Sequence, residues 1–140
     1  MANTKILIVE DDIDYALSLR VILENQQFDV VTAVNKTEGM AKAKQVKPDL
    51  VILDVMMDTT QEGFEMSREL RKVPEFKNLP ILMLTSIDSV TGVGFKSAAG
   101  DEDTIPVNVY IDKPVEPHIL LAEIRKLLSG ETGNDSDFPG

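Results

Sequence analysis

The sequence predicts an α/β fold of three layers, α/β/α, with a doubly wound, five-stranded parallel sheet of order 2-1-3-4-5 between its helices. Three observations predict it. Short apolar runs recur, as at Lys5 to Val9 and Leu50 to Leu53, too continuous for strands with one wet face. Segments of helical periodicity separate them. The runs also end in acidic or hydroxyl-bearing residues, at the edge where an open α/β sheet keeps its ligand site.

Taken in order, Lys5 to Val9 is the first strand, and Ile13, Ala16, Leu17 and Val21 follow at helical spacing. Asp29 to Ala33, rich in Val, is the second strand. Lys36 to Val46 is a helix offering Met40, Ala41 and Ala43 for packing, and Pro48 closes it. Leu50 to Leu53 is the third strand and ends at Asp54. A helix from Glu65 to Lys72 follows Gly63 and stops before Pro74. Ile81 to Leu84, introduced by Pro80, is the fourth strand and ends at Thr85; Val107 to Ile111 is the fifth. From Pro117, Leu120, Leu121, Ile124, Leu127 and Leu128 form the apolar stripe of a last helix. Right-handed crossovers restrict the topology of such a chain strongly. One domain is expected over residues 1–128, then a flexible acidic tail at 129–140, where Gly, Asp, Ser and Pro surround a single aromatic residue. Asp88 to Pro106, with three Gly, is expected to be a long mobile loop holding at most a short helix.

Composition narrows the function. The 140 residues are 43% hydrophobic and 27% charged, enough for one ordinary core without disulfides or structural metals. There is no cysteine, hence no disulfide, thiolate metal site or Cys nucleophile. The single histidine, His118, sits at a solvated helix start and removes most hydrolase and zinc schemes. Fourteen basic against 24 acidic residues give a net charge of −10 and no clustered basic face, so direct nucleic-acid binding is not expected. The N-terminus lacks a signal-peptide pattern and the apolar runs are too short to span a bilayer, so the chain is expected to be soluble and cytoplasmic, with no membrane partner.

The strand ends carry the chemistry. They bring Glu10, Asp11 and Asp12, then Asp54, then Thr85 and Ser86, then Asp112 and Lys113, to one edge. Clustered carboxylates raise one another's pKa unless a counter-charge is present, and Mg²⁺, which prefers oxygen ligands, supplies one. An Asp carboxylate is a nucleophile that forms an aspartyl-phosphate. Phosphoryl transfer needs positive charge and hydrogen bonds at the transferring oxygens, which Mg²⁺, the Lys113 ammonium and the Thr85 hydroxyl would provide. Each residue also has a plainer reading. Asp12 is an N-cap, the Met56 and Met57 side chains are packing residues, Tyr110 would serve as core, and Thr85 or Lys113 alone would pass for a satisfied polar group. Asp54 after four apolar residues is harder to dismiss, because a lone buried carboxylate is costly.

Four segments carry a resemblance: Ile6-Leu-Ile-Val-Glu10-Asp11-Asp12, Pro48-Asp-Leu-Val-Ile-Leu-Asp54-Val-Met-Met, Leu82-Met-Leu-Thr85-Ser86 and Tyr110-Ile-Asp-Lys113-Pro114. In this order, each at an expected strand end, they resemble the receiver domains of two-component response regulators, over about residues 4–129. The resemblance implies a flavodoxin-like, CheY-like fold and a phosphorelay role. Asp54 would accept a phosphoryl group from a sensor histidine kinase or a histidine phosphotransfer protein. Mg²⁺ would be held by Glu10, Asp11, Asp54 and the backbone carbonyl of Met56. Thr85 and Tyr110 would form the switch, Lys113 would pair with the phosphoryl oxygens, and Lys113–Pro114 would be a cis peptide. The chain would promote its own phosphorylation and dephosphorylation rather than act as an enzyme on a separate substrate.

Two departures from that pattern stand out. Asp58 occupies a position where receivers usually carry Pro, and reads as a solvated loop acid. The stretch between Thr85 and Lys113 is longer than usual, with Ala98-Ala-Gly-Asp-Glu-Asp-Thr before the fifth strand; this bears on the output partner more than on phosphoryl chemistry. Two other classes remain open at this point: a flavodoxin-like cofactor binder, disfavoured because Glu10-Asp11-Asp12 would repel phosphate, and a degenerate receiver acting as an unphosphorylated scaffold.

Overall fold

The structure, a computed structural model, describes residues 4–54, 62–86, 108–113 and 115–129. The elements in chain order are β1 (Lys5–Val9), α1 (Ile13–Glu24), β2 (Asp29–Ala33), α2 (Lys36–Val46), β3 (Leu50–Asp54), α3 (Glu62–Lys72), a 3₁₀ turn (Pro74–Phe76), β4 (Ile81–Ser86), β5 (Val109–Lys113) and α4 (Pro117–Ser129). The five strands form one parallel sheet of order β2-β1-β3-β4-β5, as the alternation of textures predicts.

The period of two within each strand divides the core. Leu7, Val9, Val51, Leu53, Ile81 and Met83 point to one face and pack with Ala43 of α2 and Met66 and Leu70 of α3. Their neighbours Ile6, Ile8, Leu50, Ile52, Leu82 and Leu84 point to the other and meet Leu19 and Leu23 of α1 and Leu120, Ile124 and Leu127 of α4. Both faces are covered, which is why the strands read as continuous apolar runs. Helix α2 packs closely at Gly39, where a Cβ would lie 2.9 Å from Met66 Cε and 3.0 Å from Val9 Cγ2 and the end of the Met66 side chain would have to shift. No described helix is long and apolar enough to cross a membrane.

Four element readings need correction. Of Ile13, Ala16, Leu17 and Val21, only Ala16 is buried; Ile13, Leu17 and Val21 are 68%, 55% and 50% exposed. Helix α1 carries two apolar stripes, and the sheet takes the one formed by Ala16, Leu19 and Leu23. Helix α3 begins at Glu62 rather than Glu65, with Gly63 buried inside it and Glu62 and Glu65 both at its positive end. Strand β5 runs Val109–Lys113, later than the expected Val107 to Ile111. Asn108 holds the start of β4 instead: its backbone N–H donates to Ile81 O at 2.9 Å, and its Oδ1 accepts from Ile81 N at 2.8 Å and from Arg71 Nη2 at 3.1 Å. The expected tail at 129–140 begins one residue too early, since Ser129 closes α4; the rest of that tail and the expected loop at 88–106 lie outside the described residues.

The turn after α1 passes through Gln27 at φ 70°, a left-handed conformation that costs an L-residue roughly 1–2 kcal/mol. Gln27 is exposed, so Gln27→Gly relieves this and loses only unfolded-state entropy. The variant is expected to gain about 0.5–1 kcal/mol in urea unfolding. An unchanged or lower midpoint would contradict the strain.

Candidate functional site

Parallel strands all end at the same edge, so the segments that follow all five strands start there. Glu10 follows β1 and is fixed twice. Its backbone N–H donates to Ala33 O at 2.9 Å, and its Oε2 accepts from Asp12 N at 3.0 Å. Asp12 in turn caps α1, its Oδ1 accepting from Tyr15 N at 3.1 Å, the N-cap role expected of it. Asp54 closes β3, and Thr85 stands on β4 one residue beyond Leu84, the register partner of Asp54. Lys113 ends β5 opposite Ser86.

Side chains from β1, β3 and β5 converge. Glu10 and Asp54 are 1% and 4% exposed, so both carboxyls have left bulk water. Lys113 Nζ reaches between them, 2.9 Å from Glu10 Oε1 and 3.4 Å from Asp54 Oδ1. Asp11 is exposed at the rim, yet carboxylate oxygens of Glu10, Asp11 and Asp54 all lie within 4.8 Å of one another. Thr85 is buried at the same edge. The backbone carbonyl of Met56, the residue Asp58 and the Lys113–Pro114 peptide lie outside the described residues, as does the Tyr110 side chain. One neighbour was not legible as part of the site: Tyr15, whose ring centroid is 4.7 Å from Lys113 Nζ. Its only sequence signal was an aromatic residue one turn into the helix that follows the acids.

Burial raises the Glu10 carboxyl from its ordinary 4.5 to about 7; Lys113 and the Asp12 N–H act against this, and Asp54 adds to it. Burial also disfavours the Lys113 ammonium, but the adjacent Glu10 and Asp54 carboxylates outweigh it and hold the lysine above its ordinary value. The buried Glu10 Oε1 has the ammonium as its charge partner but no aligned hydrogen-bond donor. An all-oxygen carboxylate set, in a chain without cysteine, suits a hard divalent cation.

With this geometry in view, comparison with known proteins decides the family. The profile of the response regulator receiver domain matches residues 6–125. The chain belongs to that family. As a receiver it is 33% identical over 126 residues to Protein PilH of Pseudomonas aeruginosa, covering 90% of this chain and 98% of that protein. It is also 34% identical over 126 residues to the DNA-binding dual master transcriptional regulator RpaA of Synechocystis, covering 89% of this chain but 48% of that protein. The receiver thus spans about half the length of several curated relatives it matches. Among solved structures, the signal receiver domain of a histidine kinase from Syntrophus aciditrophicus superposes with a TM-score of 0.80 at 26% identity, covering 98% of both chains. Chemotaxis response regulator CheY4 of Vibrio cholerae gives 0.76 at 26% identity, covering 90% of this chain and 99% of that one. The acidic cluster is consistent with a receiver's Mg²⁺ site.

Across about pH 4.5 to 7 the folded receiver holds a proton on Glu10 that the unfolded chain has released. The Glu10 contribution to stability is therefore fully present at the acidic end and falls as pH rises through that window. Relative to Glu10→Gln, which does not titrate, wild type is expected to lose on the order of 1–3 kcal/mol over this range without divalent cations. Urea unfolding at several pH values measures it. A difference independent of pH would contradict the raised carboxyl.

Proposed function

We propose that this receiver accepts a phosphoryl group on Asp54 from a histidine kinase or histidine phosphotransfer protein and relays the change to a protein partner. The observation that carries the reading is the position of Asp54: buried at the ligand edge, 3.4 Å from the Lys113 ammonium and within a carboxylate cluster able to hold a cation. An Asp54 oxygen would attack phosphorus while the bond from phosphorus to the donor's imidazole nitrogen breaks. The bonding pair stays on that nitrogen, leaving an acyl phosphate on Asp54 and a free histidine on the donor.

Glu10, Asp11, Asp54 and the carbonyl of Met56 would hold Mg²⁺, with Asp11 at the exposed rim and Glu10 and Asp54 deeper. When bound, Mg²⁺ supplies positive charge to the transferring oxygens. Lys113, already facing Asp54, would pair with another phosphoryl oxygen, and Thr85 would donate its hydroxyl to a third. Thr85 and Tyr110 would carry the change outward, a local charge event biasing a packed surface. The receiver acts on itself, not on a separate substrate, and a cytoplasmic location fits its donors. No observation favours an unphosphorylated scaffold.

The exposed stripe of α1 supports a donor that is itself a protein. Ile13 and Leu17, with Val34, line an open groove of about 270 Å³ between α1 and the end of β2, whose lining also includes Glu10.

With Mg²⁺ and acetyl phosphate, wild type is expected to gain the mass of one phosphate and Asp54→Asn none. Asp11→Ala should need at least about tenfold more Mg²⁺ for the same labelling. Unchanged labelling of Asp54→Asn would show that the acceptor is another residue. Leu17→Glu should keep labelling by acetyl phosphate and lose labelling by a phosphohistidine protein that modifies wild type; equal loss from both donors would sink the docking role of α1.

A further inference from the structure

The acceptor reading leaves Tyr15 unused, although its ring lies beneath the Lys113 ammonium. Lys113 Nζ sits 4.7 Å from the centroid of its ring. The Tyr15 hydroxyl accepts from Val115 N at 3.2 Å, two residues beyond Lys113. Tyr15 and Val115 are both partly buried against the core beneath α1 and α4. The Tyr15 backbone N–H is held by Asp12, whose own N–H is held by Glu10, and Glu10 faces Lys113 at 2.9 Å. The contacts close a ring from Glu10 through Asp12, Tyr15 and Lys113 back to Glu10.

We propose that Tyr15 is a positioning residue for phosphoryl transfer, its ring face holding the Lys113 ammonium at Asp54 and its hydroxyl fixing the chain beyond Lys113. The inference rests on the acceptor reading and deepens it. A lysine side chain carries four rotatable bonds and a strongly hydrated head, so an ammonium left to itself would favour water over the sheet edge. The negative face of an aromatic ring attracts that head without fixing its direction. The ammonium therefore keeps a partner while it turns from Glu10 toward a phosphoryl group on Asp54. An aliphatic residue would fill the same space without this attraction. The hydroxyl works on the backbone: with Val115 N–H tied to α1, the segment leaving β5 is anchored to the helix that follows the acids.

Two readouts on the intact receiver test this. By NMR, the Lys113 Hε protons are expected to show an upfield ring-current shift in wild type and Tyr15→Phe, and to lose it in Tyr15→Leu. In labelling by acetyl phosphate at saturating Mg²⁺, Tyr15→Leu is expected to slow the maximal rate about three- to tenfold, with the Mg²⁺ half-saturation unchanged and Tyr15→Phe recovering most of the rate. Tyr15→Met, which fills the volume more adaptably, replaces Tyr15→Leu should the latter not fold. A wild-type rate in the folded aliphatic variant would overturn the positioning role, as would absence of the ring-current shift in wild type. Loss of Mg²⁺ affinity in step with the rate would overturn it too, since a general collapse of the site explains that. Wild type that shows the shift but takes no phosphate would instead sink the acceptor reading, and the positioning role with it.

Discussion

Two buried carboxylates meet at the end of the sheet, and a single ammonium reaches between them. Glu10 and Asp54 come from neighbouring strands and lie almost entirely out of water, a placement that is costly for one ionised carboxyl and worse for two. Lys113 crosses from the far edge strand to face both. The balance is incomplete. Burial raises the Glu10 carboxyl to about 7, Asp54 adds to this, and among the described residues two carboxylates face one ammonium, so a divalent cation has a place there. On the proposed reading, phosphorylation and cation binding would both change the charge around Lys113.

The fold serves that arrangement through its regularity. Parallel pairing across β2-β1-β3-β4-β5 aligns the carboxyl ends of the strands, so residues far apart in sequence become neighbours without special loop geometry. Strands β1, β3 and β4 are buried on both faces and held in register by their apolar content. The site residues are the first or second polar positions after those apolar runs. Their placement follows from where each run stops.

That is why so much of the site was legible in the sequence. Strand existence, strand order and the convergence of Glu10, Asp11, Asp54, Thr85 and Lys113 on one edge follow from apolar runs and their terminal residues. What was not legible depended on side-chain choices between near-equal options. Helix α1 offers two apolar stripes of similar spacing, and only the sheet decides that Leu19 and Leu23 go in while Ile13 and Leu17 stay out. The start of β5 is set by Asn108, which meets Ile81 across the sheet, a contact no local pattern announces. Gly63 looked like a helix boundary, yet it lies inside α3. Tyr15 was invisible for the same reason: its partner Lys113 is remote in sequence, and contact across the sheet edge is needed to link them.

If Lys113 supplies the counter-charge that a cation otherwise provides, thermal and urea unfolding of Lys113→Met with and without Mg²⁺ will show it. Removing one partner of a buried pair leaves uncompensated charge, so the variant should lose about 2–4 kcal/mol without divalent cations. Saturating Mg²⁺ should recover most of that loss, giving a larger gain in the variant than in wild type. A variant as stable as wild type without Mg²⁺, or one that Mg²⁺ does not stabilise, would contradict the account.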